Sequence, residues 1–424
     1  MTASLQTGLL WLTVLWPLLL ALPGLHRRLP HARYLALLPA LGLLVLPGQA
    51  ALNLPWLLSG AVLGIDNNSR WLLGMVLVVW AVAIHLLRDV PQETASRETP
   101  VLLLTLTGSL GVILAMDLST FFVFGTLMGY GFYGLLVRHV DARAARRYMI
   151  LLILADLALF ESLLLAAFAT SDLRYVAVHQ SLSSQPGAAV YLWMVLLGFV
   201  FKAGLWPAHA WLFACYSSAP RSLKTLLAGV PVAMALLGAL RWLPQGQAAY
   251  PGPATALLLV GIGTLALALY QRIRHPYRHT PTGLALASGG FILFLAVGLA
   301  SPMFWQESAF LAYPLVALTG LLPLVTLLFT TDAGRAPAGA PSRYPLRGWF
   351  GAGGPKLRAW LEATKSALPA PRRSAFQVID VSRHWFGQEY NFLNRLESRL
   401  RRWSLIIWVW LLLAVLIGVL AWRS

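Results

Sequence analysis

Charged residues are scarce in this sequence: Asp, Glu, Lys and Arg together make up 11% of its 424 residues. A soluble domain carries roughly a quarter. Hydrophobic residues reach 58%, more than one water-soluble core can hide. Acidic residues are scarcer still, 15 against 32 Lys and Arg, for a net charge of +17. A basic chain can signal nucleic acid. Here the charges fall between apolar runs, as membrane topology requires, so nucleic acid is not an expected partner. The single cysteine, Cys215, excludes an intrachain disulfide and a cysteine-cluster metal site. It reads as a small apolar filler. No phosphate-binding loop, dinucleotide fingerprint, nucleophile elbow or His/Cys cluster is present. His275 and His279 are spaced to bind metal on a helix, but Pro276 lies between them in a basic loop with Arg272, Arg274 and Arg278. No catalytic residue, metal or cofactor is therefore expected. No basic stretch precedes the first apolar run near Leu9, so no separate cleavable signal is expected either.

What the sequence has in abundance is long apolar runs. About 20 residues at ~1.5 Å rise match a ~30 Å hydrocarbon core. A bilayer admits only helices or closed barrels, and these runs are continuous rather than alternating, so the expected fold is all-α and polytopic. About twelve spans are expected, at 6–24, 35–52, 71–88, 101–116, 119–137, 148–170, 190–213, 222–242, 254–271, 281–300, 308–330 and 404–422. Residues 48–69 are apolar without forming a clean span and are expected to lie at the interface or re-enter. The organisation is then a transmembrane domain over 1–330, a basic cytoplasmic segment over 331–403 and a last helix over 404–424.

Lysine and arginine accumulate on the inner side of membranes. With the N-terminus outside, only Arg70, Arg174, Arg241 and Arg423 fall outside, and Lys202 lies within a span. Both termini then face the periplasm of a bacterial inner membrane. Residues 331–355, rich in Gly, Pro and Ala, read as a linker. Residues 374–402 read as a helix in which Ile379, Phe386, Leu393 and Leu400 recur every seven positions, with Tyr390 beside them and arginines on the flanks. That stripe suits the membrane surface, a partner subunit or this protein's own inner face.

Ionisable groups inside spans are costly and mark function by default. Span 6 carries Asp156 and Glu161, and span 7 carries Lys202 and His209. Lys202 opens the stretch Lys202-Ala203-Gly204-Leu205-Trp206-Pro207-Ala208-His209. Pro207 removes a backbone donor and breaks the helix, and Gly204 loosens it, so a buried amine is expected at a discontinuity where it can gain and lose a proton. Desolvation lowers its proton affinity and a nearby carboxylate raises it, so a moving partner can switch it. Asp156 and Glu161 point about 140° apart on one helix. Only one of them can face Lys202. His209 can relay protons or pack; His85, at the inner end of span 3, reads as structural.

These residues resemble a known family. Lys202, Pro207 five residues on, His209, then Trp211-Leu212, followed by Ala219-Pro220 and the small-residue run Leu226-Leu227-Ala228-Gly229-Val230, are similar to the core of the antiporter-like subunits of complex I. The same pattern occurs in multi-subunit cation/proton antiporters, membrane-bound hydrogenases and the membrane subunit of two-component inorganic-carbon transporters. The stretch 121–126 resembles the family's span 5 and 147–160 its span 6, where the family aspartate falls on Asp156. The resemblance therefore implies a direct or water-bridged contact between Asp156 and Lys202. Departures are equally plain. The family's span-5 glutamate falls on Thr126, after Gly125 in place of tryptophan. The span-8 histidine or lysine falls on Ala228 or Ala233. Family members also have more spans, so the antiporter-like fold is expected in a shortened form.

The resemblance implies a proton-translocating or proton-coupling subunit, not catalytic alone, working in a respiratory, hydrogenase-like or inorganic-carbon complex. Its route would use Asp156, Lys202, Glu161 and His209, with Lys224 an inner extension or an anchor. Partners would be other membrane and peripheral subunits, the bilayer, and protons or alternatively Na+. The alternatives are a non-conducting scaffold that docks a partner, and a stand-alone secondary transporter.

Overall fold

A helix satisfies its own backbone hydrogen bonds, and apolar sequence of the right length therefore folds as helices in a bilayer. The computed structural model describes residues 2–329 apart from 23–24, 26–28, 30, 47, 55–59, 88–91, 183–187 and 275–278. All lie in one compact unit, Met1–Thr330. The expected segments beyond it, including the stripe of Ile379, Phe386, Tyr390, Leu393 and Leu400 and the span at 404–422, lie outside the described residues.

In chain order the elements are α1 (Thr2–Ala21), α2 (Ala32–Leu35), α3 (Leu38–Val45), strands β1 (Ala50–Leu54) and β2 (Ala61–Ile65), α4 (Asn67–Leu86), α5 (Gln92–Leu114), α6 (Leu118–His139), α7 (Ala142–Ala169), α8 (Tyr175–Leu182) and α9 (Ala188–Ala203). There follow α10 (Ala210–Ser218), α11 (Arg221–Leu227), a π-helical turn (Ala228–Val232), α12 (Ala233–Trp242), α13 (Pro251–Arg274), α14 (His279–Ala300), α15 (Pro302–Ser308) and α16 (Ala312–Phe329). Each expected span up to residue 330 has helix beneath it. Among the described residues, six helices are long and apolar enough to cross a membrane, and four more are shorter apolar helices. The continuous run Arg221–Trp242 has 94% of its apolar window buried, which makes it the central helix of the bundle.

One expectation needs correction. Span 2 was expected over 35–52, but its helix ends at Val45. The apolar stretch after it is an antiparallel hairpin, with Ala50 opposite Ile65 and Leu54 opposite Ala61. A hairpin pairs its own N–H and C=O groups, so an apolar segment too short to span can still bury its backbone.

The hairpin is tied to the bundle by Asp117, which is 1% exposed. Its carboxylate caps α6, accepting from Thr120 N, Thr120 Oγ1 and Ser119 Oγ, and also accepts from Val62 N of β2 at 2.7 Å. Next to it, Arg241 at the end of α12 is 6% exposed. Its guanidinium donates to the carbonyls of Val112, Ile113 and Ala115 and to Ser69 Oγ, at 2.9–3.1 Å. It also lies over the rings of Tyr175 and Tyr313. The last carbonyls of a helix have no partner within it, and a planar cation suits them. One side chain thus joins α4, α5, α8, α12 and α16. Elsewhere the crossing of α5 and α6 is close because Gly108 admits it: a Cβ there would stand 2.4 Å from Met128 N.

Removing the Arg241 fork leaves several buried acceptors unpaired. Arg241→Met should destabilise the protein by about 3 kcal/mol or more, read as a lower unfolding temperature in detergent. Arg241→Lys should restore only part of it, since an ammonium cannot fork. An unchanged unfolding temperature in Arg241→Met would refute the role given to this residue.

Candidate functional site

Span 7 is broken between α9 and α10. Gly204 has φ +63°, and a side chain there would press on Leu212 and Trp211 at 3.1 Å. Glycine is required on both counts. Leu205 N still reaches Val200 O, but Trp206 N turns away to Thr264 Oγ1 of α13 at 3.0 Å. Trp211 Nε1 donates to Phe201 O, tying α10 back across the break. The Trp206–Pro207 peptide is cis. The side chain just before this break is Lys202.

Lys202 Nζ lies 2.6 Å from Asp156 Oδ1, and both side chains are 10% exposed. The expected contact between spans 6 and 7 is therefore present. It is an ion pair by proximity rather than a well-directed hydrogen bond, since neither Asp156 oxygen meets hydrogen-bond geometry with any described group. A buried ion costs several kcal/mol to desolvate, which an opposite charge offsets only when close. The pair is therefore no net source of stability compared with apolar residues, and it makes two otherwise prohibitive charges tolerable.

On the α6 side the amine faces Gly125, whose Cβ would stand 3.8 Å from Nζ. Thr126 turns its hydroxyl back to Phe122 O of its own helix. Lys202 thus takes its carboxylate from α7, and the α6 wall beside it is a glycine. A small cavity adjoins the amine, lined by Gly125, Gly129, Tyr148, Trp211 and Pro231 among others, with room for about one water molecule. Tyr148, 4% exposed, donates its hydroxyl to Gly129 O at 3.2 Å and stands edge-on to Trp211.

The other expected residues lie apart from this pair. Glu161 is half-buried on α7 and forms no ion pair among the described residues. His209 is 8% exposed, begins α10, sets its ring edge-on to Phe213 and is not among the residues lining the cavity. Lys224 is half-buried in α11, where its carbonyl accepts from Tyr216 Oη. Ala228 and Ala233 are fully buried around the π-turn that contains Pro231. Sequence reasoning missed Tyr148 and Gly125. Tyr148 sits eight residues before Asp156, two turns along one helix, which was the available signal.

Residues 115–274, which contain the pair and the break, match the family model for the transmembrane part of NADH:quinone oxidoreductase and Mrp antiporter subunits. Over that stretch the chain is similar to a proton-antiporter-like membrane module. The NADH-quinone oxidoreductase subunit N of Laribacter hongkongensis is 25% identical over 242 residues, covering 53% of this chain and 49% of that protein. Subunit N of Deinococcus radiodurans is 28% identical over 249 residues, covering 55% and 49%. The chain spans about half the length of these curated relatives. Two solved structures share the fold at 19% identity. One is the archaeal membrane-bound sulfane sulfur reductase, with TM-score 0.60 over 76% of this chain and 57% of that one. The other is the Mrp complex of Dietzia sp. DQ12-45-1b, with TM-score 0.62 over 77% and 65%. The antiporter-like module places the pair and the broken helix within one shared fold. None of these comparisons bears on inorganic-carbon uptake.

Each single substitution at the pair strands a buried charge that must neutralise or be desolvated. Lys202→Met and Asp156→Leu should each lower the unfolding temperature, and the double variant should recover part of the loss. The coupling should exceed about 1 kcal/mol. Strict additivity in that cycle would mean that the two side chains do not interact.

Proposed function

We propose that this chain is a proton-translocating or proton-coupling subunit of a larger complex of the bacterial inner membrane, with Lys202 as the group that takes up and releases the proton. The observation that carries this reading is the buried Lys202–Asp156 pair beside a broken transmembrane helix. Asp156 favours the charged amine while it is close; withdrawing it, or drying the site, favours release. The unwound backbone from Gly204 to His209 lets α9 shift against α7 without breaking a continuous helix. The names of the relatives, a quinone oxidoreductase subunit, an Mrp complex and a respiratory sulfur reductase, support coupling to a redox or cation-exchange partner. Protons are the favoured ion, because an ammonium excludes a second cation such as Na+ from its own site.

A second reading, a non-conducting scaffold, is favoured by one observation. Where the family carries a lysine or histidine on span 8, Ala228 and Ala233 are packed at 0% exposure. In this reading the apolar stripe within residues 374–402 would dock the partner.

Lys202→Ala discriminates. In the intact complex, proton-dependent activity should collapse while assembly is unchanged. Normal activity with normal assembly would leave the scaffold reading standing.

A further inference from the structure

The span over α7 carries two carboxylates, and the bundle uses one. Asp156 points into the junction of α6, α7 and α9, where Lys202 meets it. Around it, Leu159 packs on Gly198 of α9, and Leu152 and Phe160 pack on Gly129 and Phe122 of α6. α10 meets α7 near its other end, at Ala144 and Tyr148. Glu161 is turned about 140° from Asp156, away from that junction. It lies on the strip of α7 between Ile153 and Phe168, which are 45% and 60% exposed.

The depth of this position makes a carboxylate costly. Glu161 stands about 12 Å inside the end of α7 at Ala169, and about 7.5 Å along the helix from Asp156. A glutamate side chain is too short to carry its charge over that distance to water, as a long lysine or arginine can. Ionisable groups within a span face a bundle interior or pair with a partner. Within this chain Glu161 does neither. Among the described residues it forms no ion pair. Lys202 is held by Asp156, Arg241 by the carbonyls at the end of α5, and Arg174 by Asp172. The other lysines and arginines of the described spans stand near the span ends, so a second copy of this bundle offers no cation at that depth either.

We propose that this strip of α7 is an interface with a transmembrane helix of another subunit, and that the helix brings a lysine or arginine side chain to Glu161. Charge complementarity names the partner: a carboxylate at this depth is tolerable beside a cation and prohibitive without one. The apolar side chains of the strip supply packing, and the buried charge fixes the register of the incoming helix. This rests on the reading of the chain as a subunit of a larger complex, and not on proton carriage by Lys202. If the chain joins no membrane partner, that reading fails. If the complex forms and Glu161 stays open within it, this inference fails alone.

The probe is dicyclohexylcarbodiimide, an apolar reagent that adds to a protonated carboxyl group in the bilayer and spares an ionised, paired one. It is applied to membranes holding the full chain expressed alone and to membranes holding the assembled complex. Labelled peptides are identified by mass spectrometry, with Glu161→Gln marking the background. The expected result is labelling of Glu161 in the lone chain and protection in the complex. Glu161→Gln should also cut the assembled fraction at limiting expression by at least about tenfold, with the unfolding temperature of the lone chain unchanged. Glu161→Lys should abolish assembly. Labelling in both membranes would mean a lipid-facing glutamic acid, and protection in both would mean that the chain covers its own strip. Either result overturns the proposal, as does normal assembly of Glu161→Gln.

Discussion

The constraint on which this structure turns is a primary amine inside a bundle of apolar helices. An ammonium cannot stay charged there without an anion within a few ångströms. Asp156 supplies it from α7, and that fixes how α7 meets α9. The amine also needs space on its third side, and Gly125 of α6 gives it. The helix carrying the amine cannot run on unbroken, because Gly204 takes a positive φ and Trp206 N bonds across to α13. Each of these local choices costs helix stability. All are arranged around one charge.

At the hairpin end the logic runs the other way. Arg241 is a buried charge too, yet it is a clamp. Its donors meet the free carbonyls at the end of α5, and its faces are covered by two tyrosines. With Asp117 capping α6 and holding β2, this end is fixed by two buried charges that each make several hydrogen bonds. Such networks are rigid. The Lys202–Asp156 pair, close but poorly directed, is the opposite: an interaction that a small displacement changes greatly.

What the sequence made legible follows from contrast. A lysine and an aspartate stand out in an apolar field, and Pro207 with Gly204 marks the break, so the pair could be named beforehand. The helical offset of Asp156 and Glu161 also anticipated that only one would meet Lys202. The hairpin was not legible, because a short apolar run reads alike as strand, re-entrant segment or helix end. Arg241 was counted as an outer charge, since nothing in its own neighbourhood reveals carbonyls more than a hundred residues away. Gly125 and Tyr148 were missed for a similar reason: a glycine or tyrosine in a span gains meaning only once the facing helix is known. His209 and Lys224 were drawn in by spacing along the chain, and the break in span 7 carries His209 away from the cavity lining.

The apolar centre of span 8 bears on how such a pair could do work. A continuous polar axis would need a titratable group near Ala228 or Ala233, and those positions are packed. On the proposed reading, then, the proton's affinity must be changed at the pair itself, by moving Asp156 relative to Lys202 or by drying the site. For any lysine to release its proton at neutral pH, its ordinary pKa of about 10.4 must fall by about 3 units, about 4–5 kcal/mol. A membrane potential supplies about 2.3 kcal/mol per charge per 100 mV. The potential alone falls short of that work. A partner that shifts α7 or the unwound stretch can provide the rest, and this argues for a subunit within a complex over a transporter acting alone.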